Sequence, residues 1–120
     1  MFSARLLDHF EHPRNAGTVA DAHATVRVEN PACGDILELT ARQHGGRVTA
    51  IAFKAKGCVP CMACASAVTA AALGRTLAEA HRLTPADLEA EVGSLAQGSQ
   101  HASQLAIDAL RTLLLILQSK

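Results

Sequence analysis

The stretch Val48-Thr-Ala-Ile-Ala-Phe-Lys-Ala-Lys-Gly-Cys-Val-Pro-Cys-Met-Ala-Cys-Ala-Ser66 decides the fold, because its hydrophobic pattern changes halfway along. Residues 48–54 place the large apolar side chains Ile51 and Phe53 two positions apart in a β-branched run, which predicts a strand that buries these two residues. After Cys58 the period becomes about 3.6, and Pro60 fits the first helical position, where its missing N–H costs little. The stretch therefore predicts a strand, a glycine turn and a helix, with Cys58 at the junction.

The same periodicities organise the rest of the chain. Alternation over 24–29 and 36–41 predicts two more strands, and His44-Gly45-Gly46 is a strong hairpin signal before the third. A first helix with Leu6, Leu7 and Phe10 on its buried side precedes the strands. Helical patterns follow them, over residues 63–73, 76–81, 85–91 and 101–118. The order of helix, three-stranded antiparallel meander and further helices predicts an α+β fold in which helices pack on a small sheet.

Composition bounds the classes of function. The 120 residues are 49% hydrophobic and 18% charged, which predicts one ordered domain over 1–120. The net charge of zero gives no basic surface for nucleic acid. The aliphatic run 113–117 is far too short to span a membrane, and Asp8, His9 and Glu11 lie where a secretion signal would be apolar. We therefore expect a cytoplasmic protein, in which four cysteines favour metal or redox chemistry over disulfides.

Four residues form a candidate metal site. Cys33 and Asp35 share one Pro/Gly turn, Cys58 ends a strand, and His101 begins the last helix. Thiolate, imidazole and carboxylate together suffice for tetrahedral zinc or for iron in a small cluster. Each position is a loop or an element end, where side chains can converge. The alternative is that each cysteine is a small buried hydrophobe and His101 a polar surface residue.

Three blocks of the sequence resemble the IscU/NifU N-terminal-domain family of iron–sulfur cluster assembly scaffolds. They are Asn30-Pro-Ala-Cys-Gly-Asp35, Phe53-Lys-Ala-Lys-Gly-Cys58 and His101-Ala-Ser-Gln-Leu-Ala-Ile-Asp-Ala-Leu110. The opening segment Leu7-Asp-His-Phe-Glu-His-Pro-Arg-Asn-Ala-Gly17 resembles the family's start as well. The blocks occur in the family's order and cover nearly the whole chain. The resemblance implies a small antiparallel sheet packed by helices.

The resemblance also implies a function and its residues. A scaffold of this kind binds iron or a transient [2Fe–2S] cluster, receives sulfur from a cysteine desulfurase and passes the cluster to apo iron–sulfur proteins; it is not an enzyme. Cys33 and Cys58 are the implied ligands, Asp35 a ligand or labilising group, and His101 a ligand or neighbour. Zinc is an alternative occupant of the site. The chain is also a candidate homodimer.

The sequence departs from the family pattern at two places. The family's third cysteine follows the histidine, and here that position is Ala102. The Leu-Pro-Pro-Val-Lys segment that an Hsp70-type chaperone recognises in some members is replaced by Leu95-Ala-Gln-Gly-Ser99, so such recognition has no support here. Cys61 lies in the first turn of the predicted helix and is a candidate substitute for the missing ligand. Cys64 is expected to pack inside.

Other functions remain open on the sequence alone. Cys58-Val-Pro-Cys61 resembles the dithiol of a thioredoxin-like oxidoreductase, although no βαβ pattern surrounds it. The spacing of Cys58, Cys61 and Cys64 matches the first part of a [4Fe–4S] ferredoxin motif. A degenerate paralogue that binds zinc or iron and regulates cluster assembly would explain the loss of the third cysteine.

Overall fold

The computed structural model describes residues 2–31, 34–93, 95 and 99–119. One helix precedes the sheet, and four helices follow it in this part of the chain. In chain order the elements are α1 (Ala4–Glu11), β1 (Ala24–Asn30), β2 (Asp35–His44), β3 (Arg47–Lys56), α2 (Val59–Ala72), α3 (Leu77–His81), α4 (Pro85–Val92) and α5 (His101–Gln118). The predicted α+β class and its three-stranded antiparallel sheet are confirmed.

The sheet is a meander in the order β1-β2-β3, with both neighbouring pairs antiparallel. Gly45 and Gly46 form the turn between β2 and β3 with φ of 60° and 78°. Positive φ at both central residues suits the right-handed twist of the strands, and glycine adopts it without a steric penalty. The predicted hairpin is therefore confirmed. Leu37 and Leu39 of β2 are fully buried on the inner face of the sheet, opposite Ala55 and Phe53 of β3.

Helices α2 and α5 cover this inner face. The buried side of α5 is aliphatic, including Leu110, Leu113, Leu114 and Leu117. Burial of each such side chain stabilises the fold by about 1.5–3 kcal/mol before entropy is subtracted. In the part of the chain that the structure describes, no helix combines the length and apolar composition needed to cross a bilayer.

The N-terminal segment is fixed to α2 by a buried polar network. The Arg14 backbone N–H donates to Ser66 Oγ at 2.9 Å, and Ser66 Oγ lies 2.8 Å from His9 Nδ1. His9 Nε2 lies 3.1 Å from Glu91 Oε1 on α4. These contacts suit the tautomer with its proton on Nε2, in which the ring accepts from Ser66 Oγ and donates to Glu91 Oε1.

One detail of the predicted first helix is wrong. Leu6 is buried as expected, but Leu7 is 36% exposed and His9 is buried instead. Hydrophobic periodicity places the apolar residue inward by default. Here Ser66 and Glu91 provide hydrogen-bond partners for the imidazole of His9, and these bonds offset the cost of removing it from water.

Candidate metal centre

Asp35 is the central residue of the site. It begins β2 and is only 1% exposed, so its carboxylate needs partners. Oδ1 accepts a hydrogen bond from the Cys58 backbone N–H at 3.0 Å. Oδ2 lies 3.5 Å from Cys58 Sγ and 3.2 Å from His101 Nε2. One carboxylate therefore joins the start of β2, the start of α2 and the start of α5.

Gly57 allows this approach. Its φ is +155°, and a Cβ on it would lie 2.8 Å from Cγ of Asp35. Any side chain at this position would displace the carboxylate from the Cys58 N–H. The sequence indicates a glycine turn before Cys58 but not that the turn admits Asp35. The only hint in the sequence that Gly57 belongs to the site is its position between a predicted strand and Cys58.

Cys58 is the N-cap residue of α2, with extended backbone, and its side chain is partly exposed. The first N–H groups of a helix and its dipole favour negative charge at this position. The start of α2 therefore suits a thiolate on Cys58 as a metal ligand, whereas the Asp35 carboxylate 3.5 Å from its sulfur opposes that negative charge when no cation is bound.

His101 is the first residue of α5, and its side chain is 32% exposed. Its Nε2–H has the geometry to donate to Asp35 Oδ2. A carboxylate on one ring nitrogen orients an imidazole, as is usual beside protein metal sites. The exposed side of the ring gives the site an opening to solvent.

The ligand atoms of Asp35, Cys58 and His101 all lie within 4.8 Å of one another. Two atoms that bind one ion at about 2.0–2.3 Å can be no more than about 4.6 Å apart. The separations of 3.5 Å and 3.2 Å from Asp35 Oδ2 to Cys58 Sγ and His101 Nε2 meet this condition, so at most a small side-chain rotation is needed to bring all three atoms onto one ion. The set of one sulfur, one oxygen and one nitrogen suits zinc or iron. The structure thus brings together three of the four residues that the sequence indicated.

The fourth, Cys33, lies outside the described residues. Its neighbour Gly34 is described, and the Gly34 N–H donates to the Asn30 carbonyl oxygen at 2.7 Å. Most of the replacement for the chaperone-binding segment, residues 96–98, also lies outside the described part of the chain.

Cys61 and Cys64 are both buried in the core, and neither belongs to the group formed by Asp35, Cys58 and His101. Burial, with smaller contributions from Glu89 and Cys58, raises the pKa of the Cys64 thiol to about 12. Cys64 therefore behaves as a small hydrophobe, as expected. Ala102 is buried as well, with its methyl group packed in the core.

Two alternatives lack structural support. No strand follows α2 in the described residues, so the βαβ context of a thioredoxin-like enzyme is absent from them. Cys58, Cys61 and Cys64 do not form a ligand group in that part of the chain either, contrary to a ferredoxin motif.

Residues 1–118 match the family model described as the NifU-like N terminal domain. The chain is 37% identical over 111 residues to iron-sulfur cluster assembly scaffold protein IscU 1 of Archaeoglobus fulgidus, covering 92% of this chain and 72% of that protein. It is 32% identical to the scaffold protein IscU of Aquifex aeolicus, covering 91% of this chain and 71% of that one. The crystal structure of a NifU-like protein (N-terminal) from Brucella abortus superposes with a TM-score of 0.78 at 20% identity, covering 98% and 94% of the two chains, which shows the shared fold.

Proposed function

This chain belongs to the family of NifU-like N-terminal domains, and we propose that it is a scaffold for iron–sulfur cluster assembly. It binds iron or a transient [2Fe–2S] cluster and passes it to apo iron–sulfur proteins. The observation that carries the proposal is the convergence of Asp35, Cys58 and His101 within 4.8 Å. Relatives named as assembly scaffolds support it.

The proposed ligands are Cys33, Asp35, Cys58 and His101. The thiolate of Cys58 and an inorganic sulfide ion are both soft sulfur donors, so a site with this cysteine favours iron that is also bound to sulfide. Asp35 is a harder donor and already accepts hydrogen bonds from its neighbours. When the metal leaves, the carboxylate returns to those hydrogen bonds and is not left unpaired. This lowers the free-energy cost of release, as a transient site requires.

Loading the site moves protons as well as metal. Metal ligation requires a thiolate on Cys58, and the His101 nitrogen that binds the metal must be unprotonated. We therefore propose that binding releases protons and strengthens as pH rises. In this role the chain is a scaffold and not an enzyme, because a cysteine desulfurase supplies the sulfur.

Ala102 raises the question of which residue replaces the family's third cysteine. We propose Cys61, which follows Cys58 by one helical turn in α2. It is 2% exposed, so it reaches the metal only if the first turn of α2 shifts. Cys64 is a matched control, since it is a buried cysteine one turn further along the same helix.

Anaerobic reconstitution with ferrous iron and sulfide tests the site. Visible absorption and metal analysis should show a cluster in the wild type, little in Cys58→Ser, and an unchanged amount in Cys64→Ser. Serine is a favoured N-cap residue, so Cys58→Ser should not weaken α2. Loss of the cluster in this variant therefore reports loss of a ligand. A Cys61→Ser chain that binds as much iron and sulfide as the wild type would exclude Cys61 as the substitute.

The second candidate is a zinc- or iron-binding regulator of cluster assembly. The buried alanine at position 102 favours it, because no thiolate is available there. Transfer to an apo-ferredoxin separates the two functions. A scaffold should deliver its cluster to the acceptor, whereas a regulator should keep its metal and leave the acceptor apo.

A further inference from the structure

The two edges of the sheet are treated differently by the rest of the chain. The edge of β3 is covered at two places. Phe53 exchanges backbone hydrogen bonds with Asn15 and Gly17 at 2.9 and 2.8 Å, and Val48 exchanges them with Arg75 and Gly74 at 2.9 and 2.8 Å. The segments before β1 and after α2 therefore prevent another strand from pairing with β3.

The opposite edge is β1. Among the described residues, no backbone hydrogen bond joins residues 24–29 to any element except β2. The strand has seven residues, no proline or lysine, and no register shift against β2 that would indicate a bulge. Its two charged residues, Arg27 and Glu29, point outward and have opposite signs, so they can pair with a second strand and do not only repel it. An edge of this length and composition is a template for pairing with another strand.

We propose that β1 pairs antiparallel with β1 of a second copy, about a two-fold axis at Val28, to give a continuous six-stranded sheet. This inference rests on the sheet edges and surface charges alone, so it stands whether or not the proposed function does. Two-fold pairing of this kind buries the same strand of both copies and is closed, so it forms dimers and not filaments.

The charges on β1 select this register. Arg27 and Glu29 lie on the outer face of the sheet, 58% and 55% exposed, with 3.2 Å between Arg27 Nη2 and Glu29 Oε1. An axis at Val28 places each Arg27 opposite the second copy's Glu29, which gives two cross-strand ion pairs. An axis at Arg27 would place two arginines opposite each other, and like charges in that position are destabilising.

The apolar side of the strand agrees with this register. Strand side chains alternate, so Val26 and Val28 face α5 while Arg27 and Glu29 face outward. Val28 is partly exposed and packs at the margin of the core. Pairing at the axis places the two Val28 side chains against each other and removes this exposed apolar surface from water.

The test is sedimentation equilibrium of the metal-free chain with a chelator present, so that association around a cluster cannot contribute. The wild type should show a monomer–dimer equilibrium. Glu29→Arg replaces two attractive pairs with two repulsive ones, and we expect the dissociation constant to rise about tenfold or more. The double variant R27E/E29R restores both pairs in reverse and should return to the wild-type value.

Lys56→Glu is the matched control. Lys56 is exposed on the same face and lies opposite Ile36 of β2, as Glu29 does, but on the other edge strand. It should leave the dissociation constant unchanged. Hydrogen exchange at residues 26–29, which the axis at Val28 pairs within β1, should slow with increasing protein concentration in the wild type and the double variant, but not in Glu29→Arg.

Three outcomes overturn the proposal. The first is a wild type that stays monomeric at millimolar concentration. The second is a dimer that Glu29→Arg does not weaken, and the third is a double variant that remains as weak as the single one. Protection of residues 24–29 only on addition of a peptide or another protein would assign the edge to a different partner and exclude the homodimer.

Discussion

Gly57 and Asp35 are packed so closely that a Cβ on Gly57 would lie 2.8 Å from Asp35 Cγ and nearer still to Oδ1. Real Cβ atoms essentially never approach another heavy atom to that distance. The glycine therefore determines where the carboxylate lies, and with it the position of the oxygen shared by Cys58 and His101.

Gly57→Ala should move Asp35 out of the site. Strain at positive φ and overpacking together should lower the free energy of unfolding by about 3 kcal/mol, and zinc affinity should fall with it. Urea unfolding and competitive zinc titration measure the two effects. Gly74→Ala is the control, because Gly74 has φ of +84° and no heavy atom lies within 4 Å of the position that a methyl group on it would take. In Gly74→Ala the free energy of unfolding should fall only by the cost of strain at positive φ, and the zinc affinity should equal that of the wild type.

A double-mutant cycle isolates the contact itself. In an Asp35→Ala background, Gly57→Ala should cost less than in the wild type, because the carboxylate that it meets has been removed. Equal costs in the two backgrounds would mean that the contact between Gly57 and Asp35 does not determine the site.

Cys64 should resist alkylation in the folded chain. Burial raises its pKa from 9.0 to about 12, so its thiolate fraction at pH 8 is about a thousandfold below that of the unfolded thiol. Mass spectrometry after brief iodoacetamide treatment should find Cys58 modified before Cys64, and both modified in urea. Rapid labelling of Cys64 in the native chain would contradict its placement in the core.

The same pKa predicts a dependence of stability on alkaline pH. The folded chain holds the Cys64 proton more tightly than the unfolded chain, whose thiol titrates near 9.0. This contribution to stability is therefore present in full below pH 9 and is lost as pH rises toward 12. Cys64→Ala should flatten the fall in the urea midpoint over that range relative to the wild type.

Ser66→Ala should loosen the N-terminal segment. It removes the acceptor of the Arg14 N–H and the partner of His9 Nδ1, both of which are part of a buried network. The free energy of unfolding should fall by about 2–3 kcal/mol, and hydrogen exchange at Arg14 should become faster. Ser103→Ala is the matched control, because Ser103 is also buried but takes part in no comparable network. Its hydroxyl donates at 3.0 Å to the carbonyl oxygen of Gln100, the N-cap residue of its own helix, and makes only a long contact of 3.5 Å to Glu89 on another helix. A similar loss in both variants would show that the network has no special role.

Zinc should raise the thermal stability of the wild type. A ligand at a hundredfold excess over its dissociation constant stabilises the folded state by about 2.7 kcal/mol. For a chain of this size the melting temperature should rise by about 10 °C or more, as differential scanning fluorimetry would show. Cys58→Ser should melt near the metal-free wild type with or without zinc. A shift of equal size in that variant would exclude Cys58 as a ligand.

The sequence predicts the elements of this fold well because glycine and proline residues mark where several of its turns and helices begin. Gly45-Gly46, Pro60 and Thr84-Pro85 each mark a turn or a helix start, and α5 begins and ends where its apolar stripe does. The side of α1 that is buried is less predictable, because the partners of His9 lie on α2 and α4. Periodicity within one helix contains no information about such distant partners.

For the site as well, the residues can be predicted from the sequence but their contacts cannot. Residue type and position at element ends indicate Asp35, Cys58 and His101, and the structure brings them together. The contact between Gly57 and Asp35 follows from the β2–β3 register, in which Ile36 lies opposite Lys56. That register includes a shift between Arg42 and Gln43, which the glycine turn of the hairpin does not predict. Helical spacing predicts Cys61 near Cys58, but its side chain is buried in the core cluster.

Asp35 and His101 are 66 residues apart, yet one carboxylate oxygen contacts the imidazole. During synthesis on the ribosome, the nascent chain therefore has no complete binding site until the start of α5 has emerged and folded back onto the sheet. Before then, three of the proposed ligands, Cys33, Asp35 and Cys58, have been synthesised without the imidazole of His101. Metal binding at the proposed site should therefore require a completed fold, so a chain that is misfolded between Asp35 and His101 should bind less metal than the native chain.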